Sequence, residues 1–148
     1  MKRTFAIMTA LLLTVGVSSS FARSTNNDND NVTAYFHKDF STAELLDSKS
    51  TGDYTKLTFK MNGMVLTAFY SNKGELLAVT HNITSSQLPI TLLMQVKRTY
   101  GSYWISDLFE LNSNGDSNYY ITLENADKKI TLRSNDNNWE VFSKTTKE

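Results

Sequence analysis

The sequence predicts an α+β fold: a helix followed by four antiparallel strands, written twice, with both helices over one face of the sheet. Three observations lead there. Leu57 to Val79 reads LTFKMNGMVLTAFYSNKGELLAV, three short runs joined by Asn62-Gly63 and by Ser71-Asn72-Lys73-Gly74. Asn-Gly between alternating apolar runs signals a two-residue hairpin, because both central residues need positive φ. The pattern returns 64 positions later as ITLENADKKITLRSNDNNWEVFS, residues 121–143. Thr58 and Thr67 then meet Thr122 and Thr131, while Leu57, Phe59, Leu66 and Leu77 meet Ile121, Leu123, Ile130 and Val141. Apolar stripes at helical spacing repeat as well, at an offset of 60: Val32, Phe36 and Phe40 match Leu92, Val96 and Tyr100. The four extra residues of the second half fall in its first hairpin, where a loop grows at little entropic cost. Shared order, constant offsets and one localised insertion argue for duplication.

The chain opens Met1-Lys2-Arg3 and continues TFAIMTALLLTVGV. A basic start followed by an apolar run shorter than the ~20 residues that cross a bilayer is a secretory signal. Ser20-Phe21-Ala22 places small residues at the −3 and −1 positions of a cleavage site. Residues 1–22 are therefore expected to be removed, with no membrane insertion afterwards and a periplasmic or secreted destination. The chain has no Cys, so neither a lipobox thiol nor a disulfide is available. Residues 23–148 are the size of one domain. Basic and acidic residues number 15 each, and losing Lys2 and Arg3 leaves the mature chain at a net charge of −2. The signs are interspersed, which gives no footprint for nucleic acid or anionic lipid.

Residues 23–30 are wholly polar and read as a flexible leader. Asp28 and Asp30 resemble the start of a calcium loop, but Thr33 and Asp39 stand where an EF-hand needs Gly and Glu. Val32, Tyr35, Phe36 and Phe40 then form one stripe of a helix of about three turns. Strands are expected at 43–49, 54–61, 64–70 and 75–83. Ser85-Ser86-Gln87-Leu88-Pro89 reads as a second helix start, with Ser as the cap and Pro in the first turn. Leu92, Leu93, Val96 and Tyr100 carry its stripe and Gly101 ends it. Strands follow at 104–111, 118–125, 128–134 and 139–144, with polar turns at 112–116 and 135–138. The two units accordingly span residues 31–84 and 85–148 of a single domain.

Side chains alternate across a sheet. Leu57, Phe59 and Met61 share a face, as do Met64, Leu66, Ala68 and Tyr70, and also Leu77 and Val79. With Ile121, Leu123, Ile130, Leu132, Trp139 and Val141 they form the expected core under the helices. On the opposite face the second half carries Thr122, Glu124, Lys129, Thr131 and Arg133, which suits water. The first half instead places Val65, Thr67 and Phe69 there, so the third strand is apolar on both sides. Either another part of the chain covers Val65, Thr67 and Phe69, or a partner does.

With the repeat, the FYSNKGELL turn, the Leu88-Pro89 helix start ending at Tyr100 and the Tyr119-Tyr120 strand, the chain resembles the secreted bacterial PepSY-like proteins, also called β-lactamase-inhibitor-like (BLIP-like). The resemblance covers about residues 31–145. It implies that the duplicated αββββ units form one antiparallel sheet with two helices packed on one face, in a non-enzymatic periplasmic or secreted protein. PepSY modules elsewhere accompany peptidases and are thought to restrain them. The chain departs from the family's Asp-x-x-Gly turn, carrying Ser71 at its start and Asn138 in place of the second-half Gly. It also lacks the disulfides of lactamase inhibitors. No functional residue and no lactamase inhibition therefore carries over.

Catalytic and cofactor signatures are absent from the sequence. His37 and His81 have no partner at metal spacing. There is no Gly-x-Ser-x-Gly elbow and no phosphate loop. Carboxylate pairs such as Asp28/Asp30 sit in polar stretches, and Lys97-Arg98 and Lys128-Lys129 read as solvated faces. Asn31-Val-Thr33 and Asn82-Ile-Thr84 match glycosylation sequons, against which a bacterial context argues. Tyr103 and Trp104 suit sheet packing or a ligand. The expected function is an exported binding module without cofactor or metal, engaging a protein or peptide or restraining a peptidase. Val65, Thr67 and Phe69 are its candidate contact residues, and a homo-oligomer is an alternative use of the same face. A structural envelope role and an enzyme with an unrecognised site remain alternatives.

Overall fold

The computed structural model describes residues 28–147. The expected signal peptide, residues 1–22, lies outside the described residues. Helix α1 (Asp28–Asp39) leads into strands β1 (Glu44–Ser50), β2 (Tyr54–Met61), β3 (Met64–Ser71) and β4 (Leu76–Asn82). A 3-10 turn (Ser85–Gln87) and helix α2 (Ile90–Thr99) precede β5 (Trp104–Ser113), β6 (Asp116–Glu124), β7 (Lys128–Asn135) and β8 (Asn138–Thr146). All eight strands form one antiparallel sheet in sequence order. β4 and β5 join the halves through the pairs Val79↔Asn112 to Asn82↔Phe109. The turns 62–63 and 114–115 obey the sequence rule: Asn62, Gly63, Asn114 and Gly115 all have positive φ.

Two starts differ from the sequence reading. Asp28, Asn29 and Asp30 belong to α1 rather than to a leader. Ser85 does not cap α2. Pro89 forces Leu88 into extended backbone (φ −66°, ψ 146°), which breaks any continuous helix from Ser85. The serines form their own short turn, closed by Thr84 N–H donating to Gln87 Oε1 at 2.8 Å. α2 begins afterwards, with Pro89 as its flanking residue.

Each helix seals its own half of one sheet face. Val32 and Phe36 of α1 pack on Leu57, Phe59, Ala68 and Tyr70. Leu88 and Val96 pack on Leu108, Ile121, Leu123, Ile130 and Leu132. Burying each of the Val, Leu, Ile and Phe side chains among these is worth roughly 1.5–3 kcal/mol, which lets the sheet stand without cross-links. Polar ties then fix the helices. The Tyr70 hydroxyl donates to Asp39 Oδ2 at 2.8 Å, and Trp139 Nε1 donates to the Leu92 carbonyl at 2.9 Å. The duplication extends to these ties. Tyr35 and Gln95 stand 60 positions apart. The Tyr35 ring lies against Gly74 in the β3–β4 turn, and Gln95 Nε2 donates to the Asn137 carbonyl, 2.7 Å away, in the β7–β8 turn.

Bulges repeat too. Leu46 and Ser106 are the extra residues in β1 and β5; Leu77 and Phe142 are the extra residues in β4 and β8. A bulge adds one residue, breaks the alternation and sharpens the bend of its strand. Three expected core positions change, two of them at or beside a bulge. Leu77 packs with the cluster on the face away from the helices. Val141, beside the β8 bulge on an edge strand, is exposed, as is Met64 at the start of β3.

Candidate protein-binding face

The face without helices has a core of its own. Tyr54, Phe69, Ala78, Phe109, Leu111 and Tyr120 are buried there, and the bulge residues Leu77 and Phe142 pack against them. No helix among the described residues packs on this cluster, and its side chains bury one another through ring-on-ring contact. The Phe109 and Tyr120 rings stack at 5.2 Å, and Tyr54 meets Phe69 edge-on at 5.7 Å. Tyr120 on β6 and Phe142 on β8 also meet at 5.7 Å, although β7 lies between them. Strands two apart in a flat sheet are roughly 9–10 Å apart. The two long side chains reach toward each other across β7, Phe142 from the bulge position of β8.

Val65, Thr67 and Phe69 do share this face, opposite Lys60, Thr58 and Lys56 on β2. Their surroundings grade steeply. Val65 is 56% exposed, Thr67 is half-buried and Phe69 is only 4% exposed. The sequence reading left open whether the chain or a partner covers Phe69; in the structure the chain does, since its cross-strand neighbour is Ala78 and its ring sits among aromatic ones. Val65 stays open for a register reason. The β3–β4 pairing begins at Thr67↔Thr80, so Met64 and Val65 have partners on β2 and none on β4.

Around the rings lie polar and charged groups. Thr122 and Thr131 hydroxyls meet at 3.2 Å, and Thr122 is buried rather than solvated. Arg133 pairs with Glu140 at 3.2 Å. Glu124 holds Lys147 at 2.7 Å and Lys129 at 3.6 Å. The Lys147 hydrogen bond, then that of Ser106, brings the Glu124 carboxyl down to about 2. Burial raises the Asp107 carboxyl, partly offset by the Leu108 backbone and Lys129. Burial also raises Tyr120, against the pull of the neighbouring Arg133. The Tyr120 hydroxyl itself is buried and makes no well-formed hydrogen bond.

The face thus has a buried apolar centre with polar and charged groups around it. The fold around it has known counterparts. A DUF2874 family protein from Bacteroides uniformis superposes with a TM-score of 0.68 at 14% identity, over 83% of this chain and 90% of that one. A BLIP-like protein from Bacteroides fragilis gives 0.66 at 13% identity, over 86% and 89%. A protein from Bacteroides eggerthii, described as a candidate periplasmic protein, gives 0.69 at 12%, over 84% and 90%. The fold is BLIP-like. No family model matches the sequence, and no curated protein does.

Within this BLIP-like sheet the remaining sequence-flagged residues lie apart from one another. His81, by its register, is on the helix side, 3.7 Å from Glu110. His37 meets the Phe36 ring at 5.2 Å. Tyr103 packs edge-on against Tyr100 and joins the α2 core. Trp104 is 52% exposed, with Lys147 Nζ 4.9 Å from its ring centroid. Among the described residues, no three His, Cys, Asp or Glu side chains gather where they could hold a metal ion, and no helix is long and apolar enough to cross a membrane. Sequence reasoning missed Tyr54, Phe109, Leu111, Tyr120 and Phe142. The signal was in the adjacent apolar residues of DLFEL and YYITL, which place bulk on both faces of β5 and β6.

Proposed function

We propose that this chain is an exported, non-enzymatic binding module of the PepSY-like family that engages a protein or peptide through its helix-free sheet face. One observation carries the reading: an aromatic cluster lies on a sheet face that no helix among the described residues covers, and exposed Val65 extends its apolar surface. Exposed apolar surface beside a packed aromatic centre is what a partner's side chains can desolvate at little structural cost. Export is supported by the pattern of residues 1–22 and by the described location of the Bacteroides eggerthii counterpart. A single domain of two repeats, residues 31–84 and 85–148, fits the shared β4–β5 pairing. Restraint of a peptidase is the narrower form of the same function, supported by the family resemblance.

The test is affinity capture from the native envelope with the wild type and with Val65→Lys and Thr67→Lys. Both variants change exposed or half-buried positions and are expected to keep the wild-type melting temperature within a few degrees. Loss of the same captured protein in both supports the face as the binding surface. An unchanged capture in both would refute it.

A further inference from the structure

We infer that the helix-free face holds a carboxylate-recognition point, formed by Tyr120 and Arg133 and shielded by the chain's own Glu140, that accepts an acidic side chain of a protein partner. The inference rests on the reading of this face as a binding surface. Tyr120 is 1% exposed, and its hydroxyl oxygen is buried without a well-formed hydrogen bond. Arg133 is its cross-strand neighbour. A guanidinium has donors only, so any contact between the two leaves the phenolic proton without an acceptor. The pair therefore presents donors alone where the aromatic cluster meets its charged surroundings.

Glu140 stands where an acceptor is needed. It faces Arg133 across β7 and β8, with Oε2 accepting from Arg133 Nη2 at 3.2 Å, while Oε1 accepts from Asn135 Nδ2. Its carboxylate is thus shared between two donors, and its side chain is 47% exposed. An incoming carboxylate that displaced Glu140 could take parallel N–H bonds from the guanidinium and the O–H bond of Tyr120. Phe142, edge-on to Tyr120 and half-buried on an edge strand, is the ring that must swing aside. The aromatic surroundings favour an acidic residue flanked by apolar ones over a small free acid. Neutral and basic groups offer the donor pair less.

Backbone and arginine side-chain NMR on the 15N-labelled mature chain can test this with three probes: the blocked tripeptide Leu-Glu-Leu, its Leu-Gln-Leu analogue, and acetate. The Glu peptide is expected to shift the Arg133 Nε and Tyr120 amide signals, and to bind Glu140→Gln about fivefold more tightly than wild type. Tyr120→Phe is expected to weaken it about three- to tenfold, the loss of one hydrogen bond. That variant should melt at or above the wild-type temperature, since it removes a buried hydroxyl lacking an acceptor. Arg133→Lys should weaken binding while keeping the charge, because the fork is lost. Equal shifts from the Gln peptide, wild-type affinity in Tyr120→Phe, or no binding to Glu140→Gln would each overturn the proposal. Acetate binding as tightly as the peptide would overturn the assignment to a partner's side chain. These readouts need no captured partner, so their failure is separate from that of the Val65→Lys capture.

Discussion

Replacing Phe69 with alanine removes a ring that is 4% exposed and packs among Tyr54, Ala78, Phe109 and Tyr120. Truncating a buried Phe to Ala costs about 3–5 kcal/mol, through lost burial and the cavity left behind. No helix among the described residues backs this cluster, so its rings can settle partly into the gap, and about 3 kcal/mol is the expected figure. For a domain of this size that lowers the melting temperature by roughly 10 °C. Val65→Ala provides the internal contrast: the same strand and the same face, but a side chain 56% exposed. Its expected cost is about 0.5 kcal/mol or less. Urea unfolding at equilibrium measures both, through the midpoint at constant slope. Phe69→Asp should fail to fold, because it buries a charge among rings. A Phe69→Ala cost below about 1 kcal/mol, or one equal to that of Val65→Ala, would refute the view that this face contains a packed core.

Two further outcomes follow from local geometry. Gly74 has φ +80°, and a Cβ there would overlap the Tyr35 ring. Gly74→Ala should therefore destabilise by about 1–2 kcal/mol, and adding Tyr35→Ala should recover only the steric part, as thermal melts of the single and double variants would show. Glu124 has its carboxyl lowered from the ordinary 4.5 to about 2 by Lys147 and Ser106. A depressed folded value means that the contribution is present above 4.5 and is lost as the pH falls toward 2. The melting-temperature gap between wild type and Glu124→Gln should hold above pH 5 and close by about pH 2; a gap that is constant with pH would show that the ion pair contributes nothing.

Much of the fold was legible because it is written in short-range chemistry. Asn62-Gly63 and Asn114-Gly115 take positive φ at both turn positions, which Asn and Gly tolerate best. Val32, Phe36, Leu92 and Val96 lie on one side of their helices, and all four are buried. The start of α2 was misread because Ser85 and Pro89 each look like helix openers, and local preference alone does not rank them. In the structure Pro89's constraint on Leu88 prevails.

The sequence by itself determined the elements, their order, their duplication and the face that the helices cover, since each follows from residues within a few turns or one hairpin of each other. The tertiary structure alone decided the state of the other face. Phe69, Phe109, Tyr120 and Phe142 come from four different strands, and their burial depends on which strands are neighbours and on where Leu77 and Phe142 bulge. Period-two alternation says that Val65 and Phe69 point the same way. It does not say that β4 pairs with β3 from Thr67 onward, leaving Val65 open to solvent and closing Phe69 beneath Ala78 and the rings. Burial on an open sheet face is a property of long-range register and strand order, and those are fixed only when the whole sheet assembles.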